Sequence, residues 1–97
     1  MTVAQMEKFV PLARSQKVSL VARSRRGFVA AYRRAGTPSR MSDAWVKKRE
    51  GFIARHVAQG RLEGWWQNGY PTRRHLALIM WAYTPTPVRT EKYAKGL

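Results

Sequence analysis

The sequence predicts an all-α fold, a small bundle of three main helices at about residues 24–35, 43–59 and 73–83. Three observations predict it. "SRRGFVAAYRRAG" sets Phe28, Ala31, Tyr32 and Ala35 at the spacing of one helical face, with Ser24 as a cap and Gly36 just past the end. Ser42 and Asp43 open a longer segment that Gly60 can close, with Trp45, Val46, Phe52, Ile53 and Val57 on one arc. Finally, "PTRRHLALIMWAYTPTP" carries an unbroken apolar run from Leu76 to Tyr83 behind a Pro-Thr start, and no partner strand is evident elsewhere.

The first of these helices presents Arg26, Arg33 and Arg34 away from its apolar face, and "GTPSRM" follows it as a loop because Pro38 disfavours helix at Thr37. Arg49 and His56 fall inside the apolar arc of the second, which suggests interior roles for both. The third is apolar on both sides, the pattern of a central helix. Between the second and third, "RLEGWWQNGYP" reads as a turn-rich connection, with Gly64, Asn68-Gly69 and Pro71 as breakers. Before the bundle, Thr2 can cap a short N-terminal helix bearing Val3, Met6 and Val10, with Pro11 as its terminator. The domain reading is therefore an arm or short helix at 1–17, a helical core at 18–84, and an extended basic tail at 85–97.

Ninety-seven residues form one domain at most, and 44% hydrophobic residues with eleven aromatics exclude a disordered chain. No cysteine is present, which excludes disulfide frameworks and thiolate zinc sites. No cofactor is expected. Five scattered acids make a two-metal carboxylate centre untenable. His56, Asn68 and His75 stand in the order of a His-Asn-His nuclease but lack its hairpin-and-helix metal site, so the expectation is a protein that is not an enzyme.

Charge is the dominant fact. Nineteen Lys and Arg against five Asp and Glu leave a net charge of +14, and Arg outnumbers Lys about two to one. Self-repulsion at this level destabilises a small domain unless a polyanion relieves it. Arginine's planar fork suits phosphate. The distribution is uneven: residues 18–36 hold Arg23, Arg25, Arg26, Arg33 and Arg34 with no acid. Two helix starts also break a local rule, because a helix N-terminus disfavours cations. Arg25 and Arg26 stand at one, and Arg73, Arg74 and His75 at another. An anion would reconcile both, and Gly27 would let backbone approach a phosphate.

The expected function is a nucleic-acid-binding protein, for DNA or RNA, that grips the phosphate backbone with little sequence specificity. The candidate contacts are Arg23, Arg25, Arg26, Arg33, Arg34, Lys47, Lys48, Arg73, Arg74 and His75, with Trp65 and Trp66 available to stack on bases. No metal site is expected. The alternative is a basic structural component of a ribonucleoprotein or a phage or viral particle, ordered by protein partners. Binding to a membrane surface through residues 24–35 is a third reading, weakened by the small apolar face at Ala31 and Ala35. No segment reaches a membrane span and no secretory signal is visible. The expected location is thus cytoplasmic, nucleoid-associated or within a virion, and not secreted.

Overall fold

The computed structural model describes residues 1–97 and corrects the three-helix bundle. Six α-helices are present: α1 (Val3–Glu7), α2 (Val10–Ser15), α3 (Phe28–Ala35), α4 (Asp43–Glu63), α5 (Arg73–Ile79) and α6 (Pro87–Ala94). A 3-10 turn occupies Pro38–Arg40, and two short strands, β1 (Trp66–Gln67) and β2 (Tyr70–Pro71), pair antiparallel between α4 and α5. The fold is therefore not purely α-helical. Asn68 and Gly69 both take positive φ, 52° and 79°, and connect the strands as a two-residue hairpin turn. Asn-Gly is the pair that such a turn favours, because both central residues must tolerate the left-handed region.

Each expected helix shifts for a physical reason. α3 begins at Phe28 rather than at Ser24, because the Ser24 hydroxyl donates to the Val21 carbonyl instead of capping. Gly36 closes it at φ 77°. α4 runs through Gly60 to Glu63 and stops at Gly64, φ 79°. Gly60 serves close approach rather than termination: a Cβ there would lie 2.0 Å from the Trp65 ring. α5 ends at Ile79, and the chain then turns through Ala82 at φ 58°.

The tail is not an extended arm. Pro87 occupies the first turn of α6, where its missing N–H costs nothing. Thr90 and Ala94, four residues apart on one face of α6, are buried. At the other end, α1 carries a reciprocal capping box in which Gln5 N–H donates to Thr2 Oγ1 (3.1 Å) and Thr2 N–H donates to Gln5 Oε1 (2.9 Å). Pro11 does not terminate α1 but lies in the first turn of α2. Met6, Phe9, Val10 and Ala13 from these two helices join Phe28, Val29, Tyr32, Leu76, Ile79, Met80 and Ala94 in one core cluster.

Trp81 fastens α4 to that core. Its ring is stacked on Phe28 of α3 (centroids 4.9 Å apart) and on Phe52 of α4 (4.7 Å). Arg49 completes the join by donating to the carbonyls of Trp81 and Ala82, both at 2.8 Å. Its interior role is to satisfy the backbone where α5 unwinds. No helix is long and apolar enough to cross a membrane.

Candidate nucleic-acid interface

Residues 17–27 form a rigid double turn between α2 and α3. Lys17 and Ser19 both take positive φ, 56° each, which reverses the chain after α2. The first turn closes with Arg23 N–H on Ser19 O (3.0 Å), and the second with Gly27 N–H on Ser24 O (3.0 Å). Val18 and Ala22 anchor the segment in the core. Val29 N–H, one of the amides a helix start leaves free, donates to Ala22 O at 3.0 Å. Gly27 is required here, since a Cβ would stand 2.2 Å from Val21 O. That glycine admits protein backbone, not a phosphate, which corrects the expectation from sequence.

Arg25 and Arg26 therefore sit not in a helical first turn but at the two central positions of the turn that precedes α3. Both are exposed and make no hydrogen bond or ion pair with the protein. Arg23 is committed internally: its Nε donates to Val18 O at 2.8 Å, pinning the double turn.

Beside the double turn lies an open cleft of about 390 Å³, lined by Lys17, Val18, Ser19, His56, Glu63, Arg73, Arg74 and Ala77. The Thr72 hydroxyl caps α5 by accepting from His75 N–H at 3.2 Å, which places Arg73 and Arg74 at the cleft. Arg73 reaches across to the Gln16 carbonyl. Arg74 grips Glu63 through Nε (2.8 Å) and Nη2 (3.1 Å) and also donates to Gln59. The guanidinium hydrogen bonds hold the Glu63 carboxyl below its ordinary range. His56 stacks on Phe52 and bonds the Phe52 carbonyl through Nδ1 (2.9 Å). It is half-buried and forms part of the cleft wall.

The remaining candidates are distributed elsewhere. Arg33 is held by Glu7, with Nη2 donating to Oε2 at 3.0 Å. Arg34 and Lys47 are exposed and unpaired, while Lys48 lies 5.0 Å over the Trp45 ring. His75 is wholly buried and offers no face to a ligand. Trp65 covers Gly60 and meets the edge of His75. Trp66 has Arg89 4.4 Å over its ring and packs edge-on against Tyr93, so neither tryptophan is a free platform.

His75 instead heads a directional chain of hydrogen bonds. At one end the Trp66 indole N–H can only donate, and it donates to Thr86 Oγ1 (3.1 Å). At the other end the Trp65 carbonyl can only accept, and it accepts from His75 Nδ1 (3.0 Å). With the imidazole neutral, Nδ1–H leaves Nε2 an acceptor, and the protons follow in turn: Thr84 donates to His75 Nε2 (2.8 Å), Thr90 to Thr84 (2.7 Å), and Thr86 to Thr90 (3.1 Å). The network ties the hairpin, α5 and α6 together and leaves no buried side-chain polar atom unpaired. Burial pushes the His75 imidazole down to about 4, so it is neutral at neutral pH.

Sequence reasoning missed Lys17, Ser19 and His56 as walls of the cleft. Acid-free composition was a signal for Lys17, which stands in the run from Lys8 to Ser42 that holds no Asp or Glu. No protein-family model, curated protein or solved structure matches the chain.

Proposed function

We propose that the chain is a small nucleic-acid-binding protein that holds the phosphate backbone, with little reading of bases, through the double turn and the adjoining cleft. The observation that carries this is the set of cations left without an acid partner along the double turn and in the cleft beside it. Lys17, Arg25 and Arg26 have no acid partner there, and Arg73 spends one donor on a carbonyl and keeps its charge. Arg25 and Arg26 supply forked donors on a rigid turn, and Arg74, already neutralised by Glu63, shapes the wall. Arg34, Lys47 and Lys48 add long-range attraction. His75, Arg23, Trp65 and Trp66 maintain the fold that presents these groups.

The test is binding to unrelated duplexes across a salt series. Four phosphate contacts give a slope of about −3.6 in log K against log salt. A flat response, or no binding at low salt, overturns the proposal. A second reading is a basic component of a nucleic-acid-containing particle, in which protein partners would cover exposed side chains such as Leu62 on α4 and Val88 on α6. Co-purification with and without nuclease separates the two, since partners retained after nuclease treatment support the particle. Either activity places the protein with nucleic acid, in a cytoplasm, a nucleoid or a virion.

A further inference from the structure

We propose that Leu20 and Val21 form an apolar wedge that enters a base step of double-stranded DNA from the minor groove, while Arg25 and Arg26 on the adjoining turn hold the flanking phosphates. This rests on the nucleic-acid reading above and names its substrate and mode of contact.

Leu20 and Val21 are 67% and 82% exposed. Isolated exposed aliphatics are ordinary, but these two are adjacent, at the tip of a turn, in a segment that has no need of them. Val18, two residues before Leu20, and Ala22, directly after Val21, already anchor that turn in the core. Three hydrogen bonds brace the tip: Arg23 Nε on Val18 O, the Ser24 hydroxyl on Val21 O (2.6 Å) and Val29 N–H on Ala22 O. Gly27 presses against the Val21 carbonyl, so the Arg25-Arg26 turn is stacked directly on the apolar one. The result is two consecutive tight turns, one displaying two aliphatics and the next two guanidinium groups.

The charge around the tip selects the occupant. From Lys8 to Ser42 there is no acid, and Glu63, the carboxylate in the adjoining cleft, is paired with Arg74, so the turn that presents the wedge carries uncompensated positive charge suited to a polyanion. Aliphatic wedges flanked by arginine are how minor-groove proteins unstack a step: the apolar side chains enter between bases and the cations hold the strands. The minor groove of A-form RNA is too wide and shallow to grip a two-residue tip. A lipid surface fits less well. It calls for a broad apolar face with aromatics at the headgroup level, whereas Trp45, Trp65, Trp66 and Trp81 are all half-buried in packing elsewhere.

The experiment uses the full chain and a short duplex with 2-aminopurine at a central TA step, the step most readily unstacked. Binding by the unmodified protein is expected to raise 2-aminopurine fluorescence. The Leu20→Ser/Val21→Ser variant, altered only at exposed positions, should lose that rise and bind about tenfold more weakly with the same salt slope. Arg25→Ala/Arg26→Ala should instead flatten the slope by about 2. If the serine variant matches the unmodified protein in affinity and fluorescence while salt-dependent binding persists, the wedge is overturned and backbone binding stands. If the unmodified protein fails to bind duplex at low salt, both fall. Partition into anionic vesicles that depends on Leu20 and Val21, without duplex binding, also overturns the wedge.

Discussion

Mild acid should destabilise this protein through one residue, His75. The imidazole is wholly buried, with Nδ1–H on the Trp65 carbonyl and Nε2 accepting from Thr84. Protonation puts a second donor where an acceptor stood. Thr84 would have to turn its hydroxyl toward Thr90, and Thr90 toward Thr86. Thr86 would then accept from both the Trp66 indole N–H and Thr90, and its own proton would have no partner left within the network. Burial is the largest influence and lowers the pKa, the Trp65 carbonyl that accepts from the ring pulls the other way, and the Arg89 charge lowers it further. The sign follows from linkage: a base whose pKa falls on folding favours the unfolded chain as it becomes protonated. Stability is therefore full above the ordinary histidine value of 6.5 and is lost as pH falls toward the folded value of about 4. The loss amounts to about 2 kcal/mol between pH 7 and pH 5, and about 3 kcal/mol by pH 4. Thermal unfolding should register the first interval as a fall of roughly 10 °C in Tm. His75→Leu supplies the control. It should be less stable at pH 7, because Trp65 O and the Thr84 hydroxyl lose their partner, yet its profile should be flatter by the same 2 kcal/mol. Parallel profiles for the two proteins would refute both the neutral histidine and the direction of the chain.

Packing and surface pairs yield further expectations. Gly60→Ala should destabilise by about 1–3 kcal/mol, as overpacking does, because its Cβ collides with the Trp65 ring; urea denaturation measures it, and a neutral outcome contradicts the close approach. Arg49→Met removes the charged donors at Trp81 O and Ala82 O and should cost about 1.5–3 kcal/mol in the same assay. Arg33→Gln, at the exposed pair with Glu7, should change stability by less than about 1 kcal/mol, so a larger loss would mean that the pair is structural.

Legibility in the sequence followed how local each determinant was. Thr2, Ser42 and Gly36 act within one turn of chain, and all three occupy the cap positions that their residue types favour. The hairpin was hidden because two-residue strands are too short to show alternation, and Asn68-Gly69 then looks like any loop breaker. α6 was hidden because its anchors are small or polar: Thr90 is buried in the hydroxyl network that leads to His75, and Ala94 in the core cluster. Gly27 and Gly60 illustrate the same limit. Gly27 was legible as a site of close approach and Gly60 as a terminator, but what requires glycine is a carbonyl at one and an indole ring at the other, brought up by tertiary folding. Within the candidate site, composition pointed to Arg25, Arg26, Arg73 and Arg74. It could not separate them from His75 or Arg23, because only the fold decides which polar groups are consumed internally. Likewise, nothing local places Lys17 and Ser19 opposite Arg73 across a cleft.

The most direct test of the account is the salt dependence of duplex binding, measured for the unmodified protein and for Arg25→Ala/Arg26→Ala. A slope of about −3.6 that falls to about −1.8 in the variant is expected, at unchanged thermal stability. An unchanged slope in the variant would contradict it, because the two arginines would then be no part of the surface that meets phosphate.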